Sequence, residues 1–478
     1  MENNRIYLKD KVIIAGVFLT STVLFAFVFW LGFPGYFQEG DIYNSLSVTT
    51  NHWHPVFIAR FIQLLYLLFG KHSFYLFALN IFCFYAGFFF FITGFYIKTR
   101  SILTYVLFLI TLIGNIFFQN FIQYHSFTFP MLLWLGCSMV FFQLFVPITN
   151  RYLRLLMRIL TTVVFTFSLL WRHNAIISVY PLLAIFVYLL LKRKHINNTA
   201  RYIFRFISLM AVGAFLLAFI VKVHPHLLSK NLAKTTTNHI FLHQIAGMTV
   251  PANDASFFPQ AWYEDNKNFQ DVKEMYKKYP LIADPFNVGW EPWESNRPFK
   301  REELSGLKLL WFKAILKYPA HYLKHISRFY KAMWFQEPGW ILNPKQIQKK
   351  PTHPWHISIA SNYSENERCI TFSHLRGRIY DFLFQHRILL NHIIGVKIGF
   401  AVLLISFGIW IFLASFRSDI LFFSLSTSLS ACCTAIMVCI FSPAPDPRYM
   451  SPVLVLSLIS SVGFLAFFYT VIFQSNVE

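Results

Sequence analysis

The chain has 478 residues, of which 56% are hydrophobic and only 13% charged, and 57 of them are phenylalanine. One soluble core cannot bury so much apolar surface, so lipid must cover the excess and a soluble globular protein is excluded. The formal net charge of +21 comes from 42 basic and 21 acidic residues. The bases are scattered between apolar runs and form no stripe, which argues against nucleic acid as a partner and for membrane orientation.

After a basic head of Arg5, Lys9 and Lys11, residues 12–33 form an unbroken apolar run, about 33 Å long as a helix and enough to cross a bilayer. The alternative is a cleaved signal peptide, but Phe33-Pro34-Gly35-Tyr36 stands where a small-residue cleavage site belongs. A retained first helix is therefore expected. In the first external loop, 34–72, the stretch from Phe57 to Phe69 sets Arg60 and Gln63 on one side and aromatics opposite, the pattern of a helix lying in the interface.

Further apolar runs fall at 73–97, 101–120, 126–147, 158–171, 174–191, 204–223, 389–415, 418–441 and 451–473, so about ten spans are expected. Two of them are one run broken at Trp171-Arg172-His173-Asn174, read as a turn at the membrane face in preference to a half-helix junction. With the amino terminus in the cytoplasm, Lys98, Arg100, Arg151, Arg154, Arg158, Lys192, Arg193, Lys194, Arg201, Arg205 and Arg417 all fall on the cytoplasmic side, as the positive-inside rule requires.

The long polar stretch 224–388 then lies outside, mixing charges with Trp, Tyr and Pro as a folded domain does. Within it, Glu302 to Phe335 reads as helix, with Leu307, Leu310, Trp311, Ala314 and Ile315 at helical spacing before Pro319 interrupts. Its Lys324, Arg328 and Lys331 are placed to rest on headgroups. The expected fold is an all-α polytopic membrane protein of the cell membrane: an N-terminal bundle, 1–223, a mainly helical extracytoplasmic domain, 224–388, and a C-terminal bundle, 389–478.

Of the acids outside the outer domain, Glu39, Asp41 and Asp446 sit in short external loops. A carboxylate in Glu39-Gly40-Asp41 can take a proton from an acceptor hydroxyl or help hold a divalent cation; the ordinary reading is a solvated loop acid. Soon after comes Asn51-His52-Trp53-His54-Pro55. Two histidines at that spacing with no third ligand make no metal site, and a structural or phosphate-directed role is favoured. Arg172, His173, Lys222, His224 and His226 stand at external helix ends, where they can pair with phosphate or simply snorkel to headgroups. Lys397 lies inside an apolar run, where a bare ammonium needs a cavity, an anion or a partner. Before the last run, Asp446-Pro447-Arg448-Tyr449 is a proline-stiffened external loop bearing an acid and a base, or else a simple turn. Five of the six cysteines fall in apolar runs, leaving Cys369 alone, so neither a disulfide framework nor a zinc site is expected.

Taken together, the external acid after the first helix, the His-Pro interfacial helix and the late external Arg-Tyr resemble the C-type glycosyltransferase (GT-C) superfamily. Pro34-Gly35-Tyr36 to Asp41, Trp53-His54-Pro55, Arg172-His173-Asn174, Tyr318-Pro319-Ala320-His321-Tyr322 and Asp446-Pro447-Arg448-Tyr449 are similar to motifs of a bacterial branch of it. The resemblance implies a membrane enzyme that moves a sugar from a polyprenyl-phosphate-linked donor to a lipid, glycan or protein acceptor hydroxyl on the extracytoplasmic side. It implies Asp41 as general base or metal ligand, with Glu39 as a weaker match. Arg172, His173, Arg448 and Lys222 would face the lipid phosphate, with His54 orienting either group. Lys397 and Tyr449 complete the expected substrate-binding set. No Asp-x-Asp or Glu-x-Asp occurs in 224–388, so no cofactor beyond a divalent cation at Glu39 and Asp41 is suggested. Two other classes fit many helices: a transporter or flippase, which lacks the expected repeats, and a polysaccharide polymerase or ligase, in which the first-loop acid has no special role.

Overall fold

The structure is a computed structural model that describes residues 8–35, 46, 55–100, 125–172, 175–192, 199–228, 237–287, 296–302, 304–335, 354–368, 373–385, 392–413 and 418–474. Among these residues the fold is helical, with no strand and one isolated bridge, Tyr263 to Phe299. In chain order the helices are α1 (Leu8–Gly32), α2 (Val56–Phe69), α3 (Tyr75–Thr99), α4 (His125–Phe145), α5 (Arg151–Trp171), α6 (Ala175–Lys192), α7 (Thr199–Leu228) and α8 (Asn238–Thr249). They continue with α9 (Phe269–Lys278), α10 (Leu307–Lys317), α11 (Pro319–Phe335), α12 (Pro354–Ala360), α13 (His374–Gln385), α14 (His392–Phe412), α15 (Asp419–Phe441) and α16 (Ser451–Gln474).

Seven helices among the described residues are long and apolar enough to cross a membrane: Leu8–Gly32, Tyr75–Thr99, Phe127–Phe145, Arg151–Trp171, Ala200–Val223, Asp419–Phe441 and Ser451–Ile472. The protein is thus an all-helical, multi-pass membrane protein by length and composition. Two more of the expected runs appear as shorter apolar helices, Ala175–Tyr188 and Lys397–Phe412. The run at 101–120 lies outside the described residues. The turn expected near residue 172 is a real break: Arg172 is extended at φ −144° and ψ 139°, its carbonyl accepts from the Ala175 amide at 3.1 Å, and α5 and α6 contact each other.

The chain divides into two compact units, the first gathering Met1–Lys230, Pro338–Thr434 and Ser451–Glu478, the second Asn231–Glu337 and Ala435–Met450. The stretch 224–388 therefore contributes to both.

In the first unit α3 packs along α4, and α4 along α5. Glycine permits these close approaches. A Cβ at Gly87 would fall 2.3 Å from Trp134 Nε1, and one at Gly94 would fall 3.1 Å from the Phe142 backbone. Small residues let helix backbones approach where lipid supplies no hydrophobic drive. The Trp134 indole, buried, donates to the Phe84 carbonyl at 2.9 Å, so the ring is both filler and hydrogen-bond donor. Elsewhere Ser178 and Thr434 hydroxyls lie 2.7 Å apart, joining α6 to α15.

Charged residues tie helix ends. Buried Asp10 at the start of α1 pairs with Arg100 just past α3 and accepts from Tyr96 Oη at 3.0 Å. Tyr188 in α6 donates to Asp419 at the start of α15 at 2.9 Å. Each contact sets at one level two ends that the positive-inside reading assigns to one side. Outward faces such as Phe204, Ile207, Phe215 and Phe219 of α7 are exposed, as lipid-facing surfaces are.

In the second unit every residue of α8 is buried, and α9, α10 and α11 surround it. Its core joins Leu242, Ile245 and Met248 to Phe286, Phe299 and Trp262. Gln244 accepts from Trp311 Nε1 at 2.7 Å and donates to the Ile440 carbonyl. The helix expected over 302–335 is two helices. It starts at Leu307, after Gly306 at φ +77°. Tyr318 leaves the helical conformation, and Pro319 opens α11 as a first helical residue that needs no amide partner.

Candidate functional site

Helix α2, expected to lie in the interface, is central to the candidate site. Val56, Ile58, Ala59 and Ile62 of α2 are buried, whereas Leu64, Leu67, Leu68 and Phe69 are exposed. A helix half buried in protein and half bare, ending in large apolar side chains, suits the bilayer interface.

Its first turn locks onto the end of α5. The rings of Phe57 and Phe61 meet the fully buried Trp171 edge-on, with centroids 5.7 and 5.4 Å away. Phe167 touches the same two rings. Arg172 follows Trp171 directly, and Pro55 precedes Val56 as the residue capping α2. The start of α2, after Pro55, is thus packed on the end of α5, before Arg172.

A third element joins them. α2 packs on α7, and Arg60 Nε donates to the Leu228 carbonyl at 3.0 Å while its Nη1 donates to Gln63 at 2.8 Å. Lys222 is exposed on α7, about 9 Å back along the helix from Leu228.

Described residues on either side of the 36–45 stretch are tied down. Arg376 of α13 donates to the Leu31 and Phe33 carbonyls at 2.9 and 3.0 Å. Tyr363 Oη donates to the Leu46 carbonyl at 3.0 Å and lies 2.6 Å from Tyr66 Oη. Burial, first, and the Glu367 charge raise the Tyr363 phenol to about 12, while the hydrogen bond with Tyr66 opposes the shift. Behind this clamp the buried Glu367 reaches His72 Nδ1 at 2.8 Å and accepts from the Ser73 amide at 3.2 Å. Ser73 Oγ donates back to the Glu367 carbonyl at 2.7 Å.

Of the residues expected from sequence, Glu39, Asp41, His54 and His173 lie outside the described residues, as do the side chains of His224, His226 and Arg448. Arg172 is half-buried at the α5 end and Lys222 exposed on α7. Lys397 is exposed on α14 two residues before Gly399, the position that meets Ser457 of α16. At 3.6 residues per turn it lies roughly opposite that contact, and nothing described joins it to α2. Tyr449, half-buried, belongs to the second unit, in the Pro447–Met450 turn, where its amide donates to the Asp446 carbonyl at 3.1 Å.

Sequence reasoning missed Glu367, which sits in Glu365-Asn366-Glu367 with no local mark of burial. It also missed the second unit's histidines. His239 and His243 share one face of α8 at one-turn spacing, and the His243 and His325 rings lie 4.8 Å apart. His239 Nε2 is 3.7 Å from Asp284. Among the described residues no group of three or more His, Cys, Asp or Glu is arranged to hold a metal ion. Compared with family models, curated proteins and solved structures, the chain matches none.

Proposed function

We propose that the protein is a membrane glycosyltransferase that moves a sugar from a polyprenyl-phosphate donor to an acceptor hydroxyl at the extracytoplasmic face. The observation that carries this reading is the contact of Phe57 and Phe61 with Trp171. It brings the start of α2, which follows Glu39, Asp41, His52 and His54 in sequence, to the end of α5 just before Arg172 and His173 in sequence, and Arg60 ties α2 to the end of α7.

In this mechanism the acceptor oxygen attacks the anomeric carbon and its proton passes to the Asp41 carboxylate. The bond from that carbon to the phosphate oxygen breaks, and the electron pair leaves on the lipid phosphate. Arg172, His173 and Lys222 then offset charge that grows in the transition state, where such groups are worth most. The Tyr363 and Arg376 contacts hold Leu46, and Leu31 with Phe33, the described residues on either side of Asp41 in sequence.

The test is transfer of radiolabelled sugar from polyprenyl phosphate in membrane vesicles, comparing wild type with an inserted and folded Asp41→Asn variant. Loss of at least roughly a hundredfold, the scale of a missing general base, supports the assignment. A fully active variant removes Asp41 from the mechanism, and a wild type inactive with every donor favours transport.

A further inference from the structure

We infer that the α10–α11 hairpin is a membrane-surface anchor whose apolar face enters the headgroup region of an anionic bilayer while its lysines contact lipid phosphates. Within Asn231–Glu337, the exposed large hydrophobics among the described residues are Leu309, Phe312, Leu316 and Leu323, and all four belong to this hairpin. Leu309, Phe312 and Leu316 recur at three- and four-residue spacing, so they share one face of α10. The opposite face is spent on the core through Leu307 and Ala314.

Charge selects the occupant. From Leu304 to Gln336 the chain holds Lys308, Lys313, Lys317, Lys324, Arg328 and Lys331 and no acidic residue. Lys317 is engaged by Asp254 at 2.9 Å, and Arg328 is hydrogen-bonded to Tyr276. Lys308, Lys313, Lys324 and Lys331 remain exposed around the apolar side chains. An apolar patch whose exposed border is mainly basic suits lipid tails beneath anionic headgroups better than a protein surface, which would offer charges of both signs. The companion helix α9 gives the contrast, since its exposed surface mixes Glu274 with Lys277 and Lys278 and carries no large apolar side chain.

The experiment uses the full chain in nanodiscs of phosphatidylcholine alone or mixed with phosphatidylglycerol. Nitroxide labels are placed at Phe312→Cys, Leu316→Cys and, as reference, Glu274→Cys, with the wild-type signal subtracted. Collisions with oxygen and with a water-soluble nickel chelate are then compared. The 312 and 316 labels should gain oxygen and lose nickel contact in the anionic nanodiscs, while the 274 label stays water-exposed in both. Each basic side chain near an anionic surface is worth roughly fivefold in partition. Lys308→Gln with Lys313→Gln should therefore lower the equilibrium constant for contact of the hairpin with the bilayer by roughly 25-fold without touching the core. Three results would overturn the proposal: labels at 312 and 316 as water-exposed as the one at 274, labels shielded from both reagents as under a protein partner, or equal lipid contact in the two bilayers.

Discussion

Acidifying the protein from about pH 7.5 to about pH 5 should loosen the second unit before it disturbs the membrane helices. The perturbed groups are His239, His243 and His325, each at most 3% exposed. Burial lowers His239 to about 3 from an ordinary 6.5. Burial, then the nearby Arg328 charge, lowers His325 to about 4. Burial and the neighbouring His325 push His243 well down too, although backbone hydrogen bonds at Pro280 and Tyr279 oppose the shift. The groups facing them are Asp284, 3.7 Å from His239, and Tyr276, whose hydroxyl lies 3.0 Å from His325 Nδ1. Among the described residues His243 Nε2 has no hydrogen-bond partner.

The sign follows from proton counting. The folded unit keeps these rings neutral while the unfolded chain protonates them below 6.5, so their contribution is whole above that value and is lost as pH falls toward the folded pKa. At about pH 5, His239 and His325 each forfeit about 2 kcal/mol. The sum is a large share of a domain stability of roughly 5–15 kcal/mol. Burial works against ionising Asp254, but hydrogen bonds from Ser256, Lys317 and Tyr318 hold its carboxyl well below the usual range. It adds stability above the ordinary 3.8 and is silent in this window. Amide exchange of the full-length protein, corrected for the intrinsic pH effect, should show α8 and α11 opening more readily at the lower pH while α3 is unchanged. Equal opening free energies of α8 and α11 at both pH values would refute the reasoning.

Other outcomes can be checked in the same protein. Gly247→Ala would set a Cβ 2.4 Å from His325 Nδ1, and since that ring is buried it should cost about 1–3 kcal/mol, read by exchange in α8. Trp171→Ala should remove about 3–5 kcal/mol of packing under α2, with α2 amide protection and sugar transfer falling together; loss of one without the other would separate the helix from the site. Glu367→Ala should cost about 1–3 kcal/mol by stranding the Ser73 amide and His72, seen as faster exchange over Gly70–Tyr75, and Glu367→Gln should recover part of it. Tyr363→Phe deletes the donor to Leu46 and should slow transfer more than it weakens donor binding, which a comparison of kcat with KM resolves.

Composition and apolar run length were enough to settle a helical multi-pass protein, because in lipid each span must satisfy its own backbone hydrogen bonds and so declares itself as a continuous run. Seven of the expected spans appear at full length, and the break at Arg172 and the interruption at Pro319 were legible from polar or proline residues inside otherwise helical segments. The neighbours of those segments were not. That Trp171 meets Phe57 and Phe61 edge-on, that Glu367 is buried against His72 nearly three hundred positions away, and that His325 fits over Gly247 are decided by which helix faces meet. Periodicity marks a buried face without naming what covers it, and a carboxylate in Glu365-Asn366-Glu367 looks solvated until tertiary packing closes over it.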